Sequence, residues 1–277
     1  MTNTNYPNVV NLHFIDACNY KCVYCFEKKA NRVLSLAQCK RVIDNVNSYF
    51  KKYGLNGRIN LVGGETFVCS YLEDIIDYIH SLGLKASVVT NGSLLTKEFI
   101  IRNKNKLETI GLSVDSLVDS TNIKIGRCNN RRKTIARAEL EDLCKCIKEN
   151  GIKLKINHCL SRMNQDEDIS DFIKAINPDR FKIFQMTIVN GINHSCRLLQ
   201  LRNDEFSACC KRYLSLNPVI EFADDMKGSY LMIDADADIY IDKEEAPLGN
   251  ALKDDFASSI TGKAFDIDAF EYRYARA

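Results

Sequence analysis

The sequence predicts an α/β protein: a partial (β/α)6 barrel, open on one side, with a small C-terminal β extension. Three observations predict it. Short apolar runs alternate six times with segments whose apolar residues recur at helical spacing. Such alternation implies parallel strands joined by right-handed crossovers. The length of 277 residues suits an α/β barrel folded as one large domain. A flavodoxin-like doubly wound sheet is the alternative that the pattern alone leaves open.

Residues 9–14 predict the first strand and 35–53 the first helix, with Cys39, Val42, Ile43, Val46, Tyr49 and Phe50 at helical spacing. Strand 58–62 precedes helix 71–82, whose Leu72, Ile75, Ile76 and Ile79 share a face. Strand 85–90 leads to a short helix near 96–103. Strand 109–114 leads to helix 134–149, which buries Leu140, Leu143 and Ile147 and stops at Asn150 and Gly151. Strand 153–159 is followed by helix 166–176, and strand 180–189 by helix 204–216. Apolar residues in 230–233 and 239–241 predict the short strands of the extension. The expected division is a barrel over 1–216 and an extension over 217–277.

Composition excludes several classes. The chain is 45% hydrophobic and 27% charged, values ordinary for a globular enzyme. A formal net charge of +2 argues against bulk attraction to nucleic acid or anionic membrane. No apolar run approaches the ~20 residues that span a bilayer. Residues 1–8 are polar and lack an apolar signal segment, so a cytoplasmic protein is expected. In that reducing compartment the 12 cysteines favour metal binding or catalysis over disulfides.

The unusual residues fall at one predicted rim, the C-terminal ends of the strands, where barrel enzymes place their chemistry. Cys18-Asn-Tyr-Lys-Cys22-Val-Tyr-Cys25 follows the first strand, and Gly63, Gly64 and Glu65 follow the second. Thr90, Asn91 and Gly92 follow the third, and Ser113 and Asp115 close the fourth. Three thiolates suit an iron–sulfur cube with one iron left open. A structural zinc wants four ligands, and His13 is the one nearby candidate for the fourth. Most of the other nine cysteines read as small core residues. Paired glycines permit close backbone approach, and Glu65 offers an anion to a bound cation. Arg131, Arg132, Lys133 and Arg137 read as a solvated basic face, whereas Arg127 could pair with a carboxylate in a fork.

Strands five and six add a further clue. Lys153, Lys155 and Asn157 share one strand face, as do Arg180, Lys182 and Phe184. Helices cover the outside of a barrel, so these polar faces belong toward the lumen. Lys155, Arg180 and Lys182 would there form a cationic wall suited to a polyphosphate.

The cysteine loop, with Phe26 directly after it, resembles the cluster motif of the radical S-adenosylmethionine (SAM) superfamily. More narrowly, the chain resembles the viperin family of radical-SAM nucleotide dehydratases from about residue 11 to 233. The specific markers are Asn177-Pro-Asp-Arg180-Phe-Lys182-Ile-Phe-Gln185 and Met226-Lys-Gly-Ser-Tyr230-Leu231. The resemblance implies a partial radical-SAM barrel with a 4Fe-4S cluster on Cys18, Cys22 and Cys25. It implies SAM held by Phe26, Gly63, Gly64, Glu65, Asn91, Ser113 and Arg127. It implies a ribonucleoside triphosphate (CTP, UTP or GTP) contacted by Asn11, Arg58, Asn60, Lys155, Asn157, Arg180, Lys182 and Tyr230, with the 217–277 extension contributing to the pocket.

In such an enzyme, cleavage of SAM yields a 5′-deoxyadenosyl radical that takes hydrogen from C4′ of the ribose. Loss of the 3′-hydroxyl and one reduction give the 3′-deoxy-3′,4′-didehydro nucleotide, an antiviral RNA chain terminator. An external one-electron donor is implied; direct nucleic-acid or membrane binding is not. The chain departs from the family at Thr66, where proline is usual, and at Arg58, where animal members have lysine. Alternatives are a radical-SAM enzyme acting on another phosphorylated or peptide substrate, and a non-catalytic module binding metal and nucleotide. Peptide modifiers commonly carry extra C-terminal cysteines, and here none follows Cys210.

Overall fold

The computed structural model describes residues 6–27 and 30–274; residues 1–5 of the polar N-terminus lie outside them. Six strands run in order through its centre: β1 (Val9–Ile15), β2 (Arg58–Gly63), β3 (Lys85–Thr90), β4 (Leu107–Ser113), β5 (Lys153–Leu160) and β6 (Arg180–Gln185). Each pairs in parallel with the next. The order β1 to β6 has no reversal, which excludes flavodoxin-like winding. The helices between them are α1 (Leu36–Lys52), α2 (Leu72–Ser81), α3 (Lys97–Asn103), α4 (Asp119–Ile125), α5 (Arg137–Glu149), α6 (Ser170–Ile176) and α7 (Asn203–Cys210). Helix α1 starts at Ser35, whose hydroxyl accepts from the Gln38 amide while Gln38 accepts from the Ser35 amide.

Alternation decides which face each strand presents. Along β5, Leu154, Ile156, His158 and Leu160 are buried under helices, while Lys155, Asn157 and Cys159 on the opposite face are only half-buried. Strand β2 does the same, with Ile59 and Leu61 outward and Arg58 and Asn60 inward. The apolar side joins one continuous core with Phe14, Ile43, Ile76, Ile110 and Ile147. The predicted polar lumen is therefore present.

Several predicted bounds change. Helix α4 has no counterpart in the sequence reading. The segment 204–216 is α7 followed by a 3-10 turn, Lys211–Leu216. Strand β6 ends at Gln185 rather than at 189. Helices α5 and α6 start later than predicted, at Arg137 and Ser170.

The remaining strands are β7 (Val219–Glu221), β8 (Met232–Ile233), β9 (Asp238–Tyr240) and β10 (Gly249–Asn250), followed by α8 (Phe256–Ile260) and α9 (Ile267–Tyr274). They extend the same sheet at both edges. Strand β7 pairs in parallel with β6, and β8 pairs in parallel with β1. The complete order is β10-β9-β8-β1-β2-β3-β4-β5-β6-β7, an open sheet. Among the described residues, no helix is long and apolar enough to cross a membrane.

Candidate active site

The cysteine loop leaves β1 and is pinned from the side by the end of α4. The Lys21 and Val23 amides donate to the carbonyls of Gly126 and Ile125 at 3.1 and 2.9 Å. This approach explains Gly126, whose φ is +84° and where a Cβ would lie 2.3 Å from the Lys21 carbonyl oxygen. Cys18 is exposed, and Cys22 and Cys25 are half-buried. The Tyr20 amide donates to Cys18 Sγ at 3.3 Å. Burial pushes the Cys22 thiol up to about 12, against the pull of the nearby Arg127 charge.

Three cysteines suit a cluster that takes one thiolate on each of three irons, whereas a structural zinc takes four protein ligands. His13 is buried, with its pKa lowered by that burial, and its Nδ1 lies 2.6 Å from Glu27 Oε1.

The glycine pair meets the chain's own backbone. A Cβ on Gly63, at φ +130°, would lie 2.0 Å from the Ile15 carbonyl oxygen; one on Gly64 would lie 2.2 Å from that of Ala17. The close approach is to the root of the cysteine loop. The Gly64 and Glu65 amides donate back to Ile15 and Ala17 at 2.7 and 2.9 Å.

Glu65 is fully buried. Its carboxylate accepts from Thr90 Oγ1 and the Asn91 amide, both at 2.7 Å, and from the Phe67 amide at 3.1 Å. Burial nevertheless raises its pKa. Asn91 Nδ2 donates to Asn19 Oδ1 at 2.9 Å, and Asn19 Nδ2 donates to Ser93 Oγ at 2.8 Å, so the third strand end holds the cysteine loop from its other flank.

Arg127 meets protein groups. Its Nη1 lies 2.9 Å from Asp115 Oδ2, and its Nη2 donates to the Ser113 carbonyl at 2.5 Å. Asp115 also accepts from Tyr24 Oη at 2.9 Å and from the Cys159 amide at 2.8 Å. Burial works against the Arg127 charge, but Asp115 and Cys22 outweigh it and raise its pKa. Phe26 is 43% exposed, with the Lys243 ammonium 5.0 Å from its ring centroid. Lys243 also reaches Glu27 at 2.8 Å, holding that carboxylate with His13 well below its usual range despite burial.

Below this rim, toward the strand N-terminal ends, lies a cleft of about 70 Å³ lined by Asn11, Arg58, Asn60, Lys155, Arg180, Lys182 and Tyr230 among others. Every substrate-binding residue expected from the sequence lines it except Asn157, which lies one register step above: Lys155 sits beside Arg180, and Asn157 beside Lys182. The cations are not equivalent. Lys182 is 1% exposed and lies 2.7 Å from Glu221 Oε1 and 2.6 Å from Tyr230 Oη, so it is already charge-balanced. Arg58 Nε lies 2.7 Å from Glu108 Oε2.

Lys155 and Arg180 have no carboxylate partner among the described residues. Arg180 Nε and Nη2 are buried without a hydrogen-bond partner, as are Ser87 Oγ and Asn157 Oδ1. Burial, reinforced by the Arg180 charge, pulls the Lys155 ammonium down to about 7. Such orphaned groups signal a ligand in the native cycle.

Sequence reasoning missed Glu221, Arg273 and Tyr274. Glu221 accepts from Arg273 Nε at 2.5 Å and from Tyr230 Oη at 2.7 Å, and its pKa falls to about 2 because Lys182 and Arg273 outweigh burial. Arg273 Nη1 donates to the Ser229 carbonyl at 2.6 Å. The Tyr274 ring centroid lies 5.3 Å from the Arg180 guanidinium and 6.0 Å from that of Arg58. Helix α9 thus floors the cleft. The signal was indirect: inward-facing cations require a buried acid somewhere in the chain.

Comparison with known proteins agrees with this geometry. The sequence model of the Radical SAM superfamily matches residues 12–176. A Selenomonas ruminantium protein named S-adenosylmethionine-dependent nucleotide dehydratase is 30% identical over 275 residues, covering 96% of this chain and 98% of that protein. A Flammeovirga pacifica protein of the same name is 31% identical, covering 95% and 91%. Among solved structures, Streptococcus suis SuiB bound to S-adenosylmethionine superposes with a TM-score of 0.69 over 96% of this chain and 67% of that one. At 16% identity that likeness concerns the fold alone.

Proposed function

This chain belongs to the radical SAM superfamily and, within it, to the S-adenosylmethionine-dependent nucleotide dehydratases; from that premise we propose that it dehydrates a ribonucleoside triphosphate to its 3′-deoxy-3′,4′-didehydro analogue, with CTP, UTP or GTP as the candidate substrates. The family works with a 4Fe-4S cluster and SAM. The observation that carries the reading is the pair Lys155 and Arg180, half-buried and buried in the lumen below the cysteine loop, with no carboxylate partner among the described residues. Two such cations, with Arg180 Nε and Nη2 unused, match a polyphosphate.

In this reading Cys18, Cys22 and Cys25 hold the cluster, and the rim of Phe26, Gly63, Gly64, Glu65, Asn91, Ser113 and Arg127 holds SAM. Bound there, the pair supplies a 5′-deoxyadenosyl radical. The protein's task is position. Glu65, fixed by three donors, keeps one oxygen site for the SAM amino group. Arg127, fixed by Asp115, presents its remaining donors to the carboxylate.

Lys155 and Arg180 bind the phosphates, and Lys182 holds Tyr230 in place while lending a weaker charge. Arg58, Asn11 and Asn60 complete the walls, with Asn60 Nδ2 locked to Asn11 Oδ1 at 2.9 Å. Asn157 Oδ1 and Ser87 Oγ are the free polar atoms at mid-lumen, where they suit ribose hydroxyls. Anchoring the phosphates at the floor would aim the ribose toward the rim, and orientation of this kind is the main protein contribution to a radical abstraction. Terminating viral RNA synthesis and a cytoplasmic location belong to the same reading.

The test is anaerobic reconstitution followed by incubation with SAM and CTP, UTP, GTP or ATP in turn, with products read by mass spectrometry. The expected result is nucleotide-stimulated 5′-deoxyadenosine together with a nucleotide lighter by one water. No stimulation by any of the four would overturn the reading.

A further inference from the structure

We propose that His13 selects ribonucleotides over deoxyribonucleotides: its Nε2 accepts a hydrogen bond from the 2′-hydroxyl of the bound nucleoside triphosphate. The inference rests on the reading above, in which the phosphates sit on the floor of the lumen and the ribose faces the rim.

Place comes first. Along β1, Val10, Leu12 and Phe14 belong to the apolar core beneath the helices. Alternation puts Asn11 and His13 on the opposite face, toward the lumen. Asn11 lines the cleft. His13 stands two residues further along the strand, about 6–7 Å nearer the cysteine loop. Its ring centroid lies 6.5 Å from that of Phe26, edge-on, at the rim. The imidazole thus lies between the cationic floor and the rim, at the level a ribose would take.

The ring is also held in one tautomer. Nδ1 lies 2.6 Å from Glu27 Oε1, and the same oxygen lies 2.8 Å from Lys243 Nζ. A carboxylate oxygen engaged by an ammonium only accepts, so the proton between the two groups sits on Nδ1. Burial favours the neutral ring, although Glu27 pulls the other way. A neutral imidazole with its proton on Nδ1 presents Nε2 as a bare lone pair. That atom makes no hydrogen bond among the described residues. Nor is it sealed off, as His158 Nε2 is on the helix-covered face of β5.

Chemistry then chooses the partner. Arg58, Lys155, Arg180 and Lys182 line the cleft below with donors, and Asn11 Oδ1 already accepts from Asn60 Nδ2. An acceptor set above them suits a ligand group that donates, and a ribose offers two hydroxyls. The 3′-hydroxyl departs as water in the proposed reaction, so its oxygen must gain a proton as the C3′–O bond breaks. An acceptor drawing on that hydroxyl would oppose its departure. Ser87 Oγ, unpartnered and carrying a proton of its own, suits it better. The 2′-hydroxyl stays on the sugar, and a bare lone pair can hold it throughout. A 2′-deoxynucleotide would leave Nε2 desolvated against a CH2 group, which costs affinity.

The experiment titrates the anaerobically reconstituted full chain calorimetrically with CTP, UTP and GTP, and with the 2′-deoxy counterpart of each. The wild type should bind its preferred ribonucleotide roughly tenfold or more tightly than the 2′-deoxy form. His13→Phe should keep its iron content and SAM affinity but lose most of that preference, through weaker ribonucleotide binding. His13→Gln, whose side-chain oxygen accepts, should recover part of it. In Glu27→Gln, Lys243 would hold the amide oxygen and the amide nitrogen would donate to Nδ1, turning Nε2 into a donor; the preference should fall there too. A merely structural histidine would leave this ratio unchanged. A preference retained in His13→Phe or, where that variant does not fold, in Glu27→Gln would overturn the proposal. So would equal wild-type binding of the two sugars, or a fall in SAM affinity in place of the lost preference. Failure of the wild type to bind any ribonucleotide would overturn the dehydratase reading and this proposal with it.

Discussion

The rim and the floor of the lumen treat buried charge in opposite ways. At the rim, Glu65 and Asp115 each accept three hydrogen bonds or ion pairs, and Arg127 is held by Asp115 and a backbone carbonyl. At the floor, Lys182 and Arg273 share Glu221, but Lys155 and Arg180 make no ion pair with an acid among the described residues. The rim is a finished socket whose geometry is set before anything binds. The floor is unfinished, and an anion would complete it. A saturated site gains precision from its partners; an unsatisfied one gains affinity from its lack of them.

The strongest way to break this contrast is to remove an acid from the floor. Glu221→Ala leaves Lys182 and Arg273 buried without their carboxylate and should cost about 3–5 kcal/mol in urea unfolding. Lys155→Met removes a cation that has no acid, and should leave the nucleotide-free protein as stable or slightly more so. Equal losses in the two variants would erase the distinction between paired and unpaired cations.

At the rim, Gly126→Ala forces a Cβ against Lys21 and a side chain into a left-handed conformation. It should destabilise the fold by about 1–3 kcal/mol. It should also lower iron bound per chain after reconstitution, while leaving triphosphate binding at the floor intact. Normal iron content in this variant would mean that the loop is not preset by α4.

A pH series sharpens the contrast further. With Lys155 pulled down to about 7, the folded protein binds fewer protons than the unfolded chain from about pH 7 to the ordinary lysine range. This site therefore adds stability as pH rises through that window. A bound triphosphate would keep the ammonium charged, so its affinity should fall as pH rises above about 7, by at most roughly tenfold per unit. Isothermal titration of wild type and Lys155→Met checks this, because the variant should lose that component of the slope. The smallest effect is expected from Tyr274→Ala, which uncovers Arg180 and Arg58. Thermal unfolding should reveal a loss of about 0.5–2 kcal/mol, with faster triphosphate association in stopped flow.

Much of this was legible in the sequence, for identifiable reasons. The six long strands announce themselves by alternation, and placing Lys155, Arg180 and Lys182 inward required only period two and the knowledge that helices cover a barrel. Strands β7 and β10 are three and two residues long, too short for any period to register, whereas the apolar runs 230–233 and 239–241 did mark β8 and β9. Glu221 went unseen because it lies in β7. At the glycine pair, the crowding by the chain's own backbone at Ile15 and Ala17 is set by the fold and has no local trace in the sequence. Lys182 stood out as a cation, yet its neutralisation by an acid brought in by the extension is a tertiary fact with no local trace.

One consequence follows from the pairing of β1 with β8. The Asn11 amide donates to the Leu231 carbonyl at 2.8 Å, so the strand that launches the cysteine loop gains its second neighbour only from residues near the end of the chain. On the ribosome β8 follows β1 by more than ten seconds at roughly 5–20 residues per second. Until then the cysteine loop hangs from a strand with one open edge. The strand beneath the loop is thereby completed only once the residues that follow the six central strands have been made.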